Sequence, residues 1–216
     1  FFASCEGDVR FTTDQPGGQP ALKTVPSELI GDYVNNDDSL YIRATEMTLV
    51  RPSRQTIPLK DSAKVGMTKT KDGRYIMRAG AQRYVENVSA DSAVIVNRNA
   101  DVYHLGKDTL LKDFNGCYWL SMKSGENEWK IMQITLHKKK LGIAVPSLPK
   151  DERSKMNKRL DEAKCSVDSA GVFSCVTPFT RSSDQSYFIV SATPDQLKNL
   201  DRRGLFRPVA TFDKVK

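Results

Sequence analysis

Short apolar runs separated by turn residues constrain the fold of this chain more than any other feature. The runs alternate apolar with polar positions and are rich in β-branched and aromatic residues, which favours strands. We predict strands at Leu40–Ala44, Thr48–Arg51, Arg74–Ala79, Gln82–Val88, Ala93–Asn97, Val102–Leu105, Trp129–His137 and Val209–Phe212. Turns are predicted at Pro52, Pro58, Asp72-Gly73, Gly80, Asp91 and Asn99. The fold class that follows is α+β, predominantly antiparallel β.

Two helices are predicted in the second half of the chain. Near residues 150–164, Met156, Leu160 and Ala163 form a narrow apolar stripe on a highly charged segment. Because acidic and basic residues are interleaved there, a solvated helix face is a better interpretation than a nucleic-acid contact.

The second helix, near residues 194–203, has clear start and stop signals. Thr193-Pro194-Asp195-Gln196 forms a capping box with proline at the first helical position. Gly204 supplies the left-handed stop. We therefore predict a short helix with Leu197 and Leu200 facing inward.

The motif Gly-x-Tyr occurs at Gly31 and again at Gly116, each time before a polar turn and a long strand. An ancient duplication explains this, and chance recurrence of a short motif is the alternative. We divide the chain into residues 1–25, a β-rich half at 26–110 and a second β-rich half with the helices at 111–216.

Residues 2–5, Phe-Ala-Ser-Cys, match the pattern at which a lipoprotein signal peptidase cleaves before Cys5 is lipidated. Residues 6–20 are mostly polar and contain Pro16-Gly17-Gly18, which is typical of a flexible tether. We expect the folded body to start near Val25 and to lose little stability when the tether is removed. The alternative is an ordinary thiol in a disordered terminus.

The remaining cysteines differ in their surroundings. Cys165 and Cys175 flank an Asp/Ser/Ala/Gly turn, so a hairpin would bring them to bridging distance. In an oxidising compartment we expect a disulfide there, and two reduced thiols are the alternative. Cys117 stands in an apolar run and is predicted to be a core residue.

The charge and hydropathy of the chain limit its partners. The 216 residues carry a net charge of +7, which is compatible with nucleic acid, an anionic surface or a basic envelope protein. No apolar run approaches the roughly 20 residues that span a bilayer. Membrane attachment is therefore expected through a lipid or a partner.

Catalytic and metal-binding patterns are sparse in the sequence. The two histidines, His104 and His137, lie in predicted strands without ligand spacing. The chain has no Gly-x-Ser-x-Gly motif or phosphate-binding loop, and Asp37-Asp38 is a typical turn pair. We predict no catalytic residues, no metal site and no cofactor.

Three aromatic residues form a possible binding surface: Tyr118, Trp119 and Trp129. Strand alternation places Tyr118 and Leu120 on one face and Trp119 on the other. Core packing of these rings is the alternative interpretation.

Several segments resemble uncharacterised envelope lipoproteins of Bacteroidota. The similarity rests on the Cys5 motif, Phe11-Thr-Thr-Asp-Gln-Pro-Gly-Gly, the Pro26 to Tyr33 start, Tyr118-Trp119-Leu120 with Trp129, and Ala192-Thr-Pro-Asp-Gln-Leu to Gly204-Leu-Phe. This resemblance implies export and a lipid on Cys5, and it supplies no catalytic residues. The Gly-x-Tyr start is also similar to that of lipocalin-like calycins, which enclose small apolar ligands.

These features lead to one functional prediction. We expect a lipid-anchored cell-envelope protein, on the periplasmic face or the cell surface, that acts as a non-enzymatic binding or assembly module for protein, glycan or lipid. A secreted or envelope enzyme of unrecognised type is the first alternative. A basic nucleic-acid-binding protein is the second, and the mixed charges argue against it.

Overall fold

The computed structural model describes residues 9–36, 38–77, 83–147, 188–190, 192–202 and 204–215. The described strands are β1 (Val9–Phe11), β2 (Gly31–Asn35), β3 (Asp38–Ile42), β4 (Glu46–Pro58), β5 (Met67–Lys69), β6 (Tyr75–Met77), β7 (Arg83–Val88), β8 (Ser92–His104), β9 (Thr109–Phe114), β10 (Cys117–Gly125), β11 (Glu128–His137), β12 (Lys140–Pro146), β13 (Phe188–Val190) and β14 (Phe206–Lys214). A 3-10 helix covers Leu59–Val65, and helix α1 covers Pro194–Arg202. The described part of the chain is mostly antiparallel β, as predicted.

One large sheet contains twelve of these strands. Its main path runs β7-β8-β4-β3-β2-β14-β12-β11-β10-β9, with antiparallel neighbours throughout. Strand β1 adds to the start of β11, and β13 pairs with β1 in parallel. The strands β5 and β6 form a separate two-stranded sheet.

The sheet curls so that its inner face surrounds an apolar core. Leu111 on β9 and Met47 on β4 belong to the same buried cluster, although their strands lie far apart along the sheet. The cluster also takes Tyr33 from β2 and Phe212 from β14. Side chains from both predicted halves, 26–110 and 111–216, therefore share this core.

A second cluster lies on the outer face, beneath α1. Leu197 and Leu200 of the helix pack with Trp119, Phe11 and Phe206. The predicted capping box is present. The backbone N–H of Gln196 donates to Thr193 Oγ1 at 3.3 Å, and the backbone N–H of Thr193 donates to Gln196 Oε1 at 2.9 Å. Gly204 has a φ of 78°, which confirms the predicted left-handed stop.

The long strands β4 and β8 run through two positions at which turns were predicted. Pro52 lies within β4 and Asn99 within β8, and the two strands pair without a break from Glu46↔His104 to Pro58↔Ser92. The turns predicted there were wrong. Proline is tolerated because β3 pairs with β4 only as far as Val50, so no neighbouring strand on that side requires an N–H from Pro52.

The N-terminal segment, residues 9–30, corrects the predicted tether. Val9 and Phe11 are buried in the outer cluster, and Gln15 is fully buried against β10. The Leu22 N–H donates to the Leu111 carbonyl and the Val25 N–H donates to the Ala44 carbonyl, each at 2.7 Å. Residues 9–30 are part of the folded body, because Val9, Phe11, Val25 and Leu29 are buried in its two clusters.

Candidate ligand-binding cavity

A cavity of about 1190 Å³ opens within the curled sheet. One wall is formed by β4 and β8, and the facing wall by β10, β11, β12 and β14. The floor is formed by Leu49, Ile143 and Phe212, which are buried members of the inner core. The core therefore fills one end of the curled sheet and leaves the other end open.

The inner face changes from apolar to polar along β11 and β4 toward the open end. On β11 the buried Ile134 is followed by half-buried Met132 and then by Lys130, all on the same face because they are two residues apart. On β4 the corresponding order is Leu49 and then Arg51. The same gradient on opposite walls defines an apolar interior and a charged mouth.

The mouth carries charges of both signs. Arg51 Nη2 forms an ion pair with Asp101 across β4 and β8, and Asp38 and Lys130 also line the cavity. Partly exposed ion pairs contribute little to stability. Their placement at the mouth means that an entering ligand meets polar groups first and apolar walls below them.

The opposite end of the curled sheet is closed by residues 22–30. Leu29 and Val25 are buried in the inner core, and the Tyr33 hydroxyl donates to the Leu29 carbonyl at 2.9 Å. The Tyr118 hydroxyl donates to the Glu28 carboxylate, which lowers the pKa of Glu28 and raises the pKa of Tyr118 to about 12. Residues 22–30 therefore cover this end of the curled sheet.

The three aromatic residues predicted as a binding surface do not lie on the same face of the sheet. Trp119 is fully buried in the outer cluster, where it packs edge-to-face on Phe206 at a centroid distance of 4.8 Å. Its indole N–H donates to the Phe114 carbonyl at 3.1 Å. Trp129 packs beside it, whereas Tyr118 packs with the inner core, so strand alternation separates them as expected.

Lys112 and the N-terminal segment form a buried polar contact on the outer face. Lys112 is 3% exposed, its Nζ donates to the Pro16 carbonyl at 2.8 Å, and it is ion-paired with Asp14. Next to it, the Ser121 hydroxyl and the Gln15 backbone exchange two hydrogen bonds of 3.0 Å. These contacts hold the N-terminal segment in place and involve no group that faces the cavity.

The cysteine predictions fall mostly outside the described residues. Cys5, Cys165 and Cys175 are not among the residues that the structure describes, and neither is the helix predicted near residues 150–164. Cys117 is half-buried against the outer cluster, and this burial raises the pKa of its thiol. A thiol with a raised pKa is a poor nucleophile.

Both histidines end strands at the surface. His104 Nδ1 lies 3.2 Å from the Glu46 carboxylate, and His137 closes β11 beside an exposed hairpin turn. In the described ranges, no three His, Cys, Asp or Glu side chains converge to hold a metal ion. No helix in the described part of the chain has the length and apolarity needed to cross a membrane.

The sequence analysis missed the residues that line the cavity. The signal was present in the alternation Ile134, Met132, Lys130, in which the inward face of one strand changes from apolar to basic. Alternation alone does not reveal which strands meet across a curled sheet, so the cavity itself was not predictable.

No protein-family model, curated protein or solved structure matches this chain.

Proposed function

We propose that this chain is a non-enzymatic binding module of the cell envelope, held there by a lipid on Cys5, and that the cavity is its ligand site. The observation that carries the proposal is the 1190 Å³ cavity with an apolar interior and a charged mouth. Ligand sites in proteins combine these properties: concave shape, mostly apolar walls and a few polar groups that orient the ligand.

A cavity-filling substitution tests the ligand site. Met132 lines the cavity and is half-buried, so Met132→Trp places a large ring in the space that a ligand needs. Wild-type protein is expected to enhance the fluorescence of an apolar dye such as anilinonaphthalene sulfonate, and the variant to lose most of that signal.

Val34→Trp is the matched control, because Val34 is 43% exposed on β2 and does not line the cavity. Equal dye binding by wild type, variant and control would contradict the assignment of the cavity as the ligand site. Melting curves of all three proteins establish that each is folded.

The lipid anchor is supported by the sequence Phe2-Ala3-Ser4-Cys5, in which an apolar residue and two small residues precede the cysteine. Lipidated protein from its native host is expected to sediment with membranes and to carry diacylglyceryl mass, since a diacyl lipid anchors durably. Cys5→Ser is expected to be released into the soluble fraction. Equal partitioning of both proteins would contradict the anchor.

The duplication of two β-rich halves is part of the same proposal. Its support is that Tyr33 and Tyr118 both pack with the inner core. The glycines differ, however, since Gly31 opens β2 whereas Gly116 occupies a hairpin turn with φ 77°. The shared core position of the two tyrosines therefore supports a duplication, whereas the two glycines do not support it.

A further inference from the structure

The large sheet has a gap beside β14. Strand β2 pairs with β14 only through Asp213 and Lys214, and β2 ends at Asn35. Strand β14 itself begins further back, at Phe206. Along residues 206–211, the edge of β14 that faces away from β12 therefore has no neighbouring strand among the described residues.

The far side of this gap is the edge of β4. Strand β3 pairs with β4 only as far as Val50, so the β2–β3 hairpin fills only one end of the space between β14 and β4. Residues on both sides of the gap and at the end of the hairpin line the cavity: Ala210, Phe212, Arg51 and Asp38. The gap therefore opens onto the cavity.

The backbone of β14 presents an unused hydrogen-bonding edge to the gap. Successive residues of a strand direct their N–H and C=O groups to opposite edges. The Lys214 N–H donates to the Lys139 carbonyl beside β12, and the Val215 N–H donates to the Asp32 carbonyl on β2. The N–H of Thr211, four residues before Val215, therefore points into the gap, where no described residue accepts it.

The facing edge of β4 is a poorer hydrogen-bonding partner. The Arg43 N–H donates to the Glu46 carbonyl, so by the same alternation Pro52 is the first residue of β4 that faces the gap beyond β3. Proline has no N–H to donate. On β14, Pro208 also lacks an N–H, which limits a new ladder to the few residues around Thr211.

An unpaired strand edge selects a polypeptide backbone. An extended peptide presents donors and acceptors at the spacing of a strand, whereas an acyl chain has none and a glycan does not repeat them at that spacing. The mouth of the cavity carries charges of both signs, which favours an uncharged segment over a polyanion.

We propose that the cavity binds an extended segment of a partner protein, which adds to β14 as an antiparallel strand in the place that β2 leaves empty. This inference rests on the proposed function, in which the cavity is the ligand site. Alternate side chains of the segment lie beside Ala210 and Phe212 and enter the cavity, and the others lie beside the exposed Thr211. The partner segment therefore alternates apolar with polar residues.

N-methylated peptides test the ladder. A fluorescein-labelled peptide of about ten residues that alternates valine with serine is titrated with the full-length protein, and binding is followed by fluorescence anisotropy. The serines lie opposite Thr211, so N-methylation of the serines removes the donors that face β14. It is expected to weaken binding roughly tenfold, because each lost backbone hydrogen bond costs affinity.

N-methylation of the same number of valines is the matched control, because the N–H groups of those residues face away from β14. This control should bind as the unmodified peptide does. Absence of binding by the unmodified peptide, or equal binding by the two methylated peptides, would overturn the proposal.

Protein variants place the ladder on β14. Thr211→Pro removes the N–H that faces the gap and Thr211→Val keeps it, so only the proline variant should lose affinity, by roughly tenfold. Equal affinities of the two folded variants would refute this location. If Thr211→Pro fails to fold, hydrogen exchange of the Thr211 amide in wild-type protein decides: saturating peptide should slow it, and an unchanged rate would refute the pairing.

Met132→Trp separates this inference from the proposed function. Met132 lines the cavity, so the variant should weaken binding of both the dye and the valine-serine peptide. If the peptide fails to bind wild-type protein but dye binding still depends on Met132, the peptide inference fails and the ligand site of the proposed function stands. If dye binding does not depend on Met132 either, both fail.

Discussion

Truncation of Phe11 is the sharpest test of how the N-terminal segment contributes to the fold. Phe11 is fully buried in the outer cluster with Trp119 and Leu197, and it pairs with Trp129 across β1 and β11. Phe11→Ala removes this side chain from a packed site and is expected to cost about 3–5 kcal/mol of unfolding free energy. For a chain of this size that corresponds to a fall of roughly 6–20 °C in Tm.

Thermal and urea unfolding, followed by circular dichroism, measure the effect. Thr24→Ala is the matched control within the same segment, because Thr24 is exposed, and its change should stay within about 0.5 kcal/mol. If Phe11→Ala changes stability no more than Thr24→Ala does, residues 9–20 behave as the tether that the sequence suggested, and the packing described for them is wrong.

Three further changes test individual contacts. In urea unfolding, Asp14→Asn should lower the free energy of unfolding more than Lys112→Met does. Asp14→Asn leaves the buried Lys112 ammonium group without its charged partner, whereas Lys112→Met replaces that group with an apolar side chain of similar volume. The reverse order would contradict the burial of Lys112. Tyr118→Phe should lower Tm at neutral pH, because it removes the hydrogen bond to Glu28. The difference from wild type should shrink as pH falls below about 4.5, since protonation of Glu28, whose pKa is lowered, removes the charged acceptor, and also as pH rises from 10 through about 12, where Tyr118 with its raised pKa ionises. A difference in Tm that does not change with pH would refute the hydrogen bond. Cys117 should react with a thiol reagent far more slowly in native than in urea-unfolded protein, since burial raises its pKa, and equal rates would contradict that burial.

Local signals predicted those elements whose cause is local. The capping box at Thr193 and the left-handed Gly204 fix α1 within a few residues, so the sequence was sufficient to place it. The strands near Trp129–His137 and Val209–Phe212 were found from their alternation, although both extend beyond the predicted bounds. The Asn115-Gly116 hairpin, in which both residues have positive φ, was present in the sequence and was not recognised as a turn between β9 and β10.

The structure of the N-terminal segment could not be predicted, because it depends on contacts with distant parts of the chain. Val9-Arg10-Phe11 is too short to form a strand alone, and it is stabilised by pairing with β11 and β13 and by burial beneath α1. Glycine and proline in residues 16–20 suggested flexibility, yet the surrounding contacts determine the conformation there. The cavity could not be predicted for a related reason, because its presence depends on how far the sheet curls.

Photo-crosslinking gives the most direct test that the cavity is the ligand site. Full-length protein would be irradiated with an apolar fluorescent dye that carries a diazirine, and the adducts would be mapped by mass spectrometry. The account predicts adducts at Met122, Met132 or Phe212, which line the cavity. Adducts at the exposed Val34 and Tyr41, with none at the cavity residues, would contradict it.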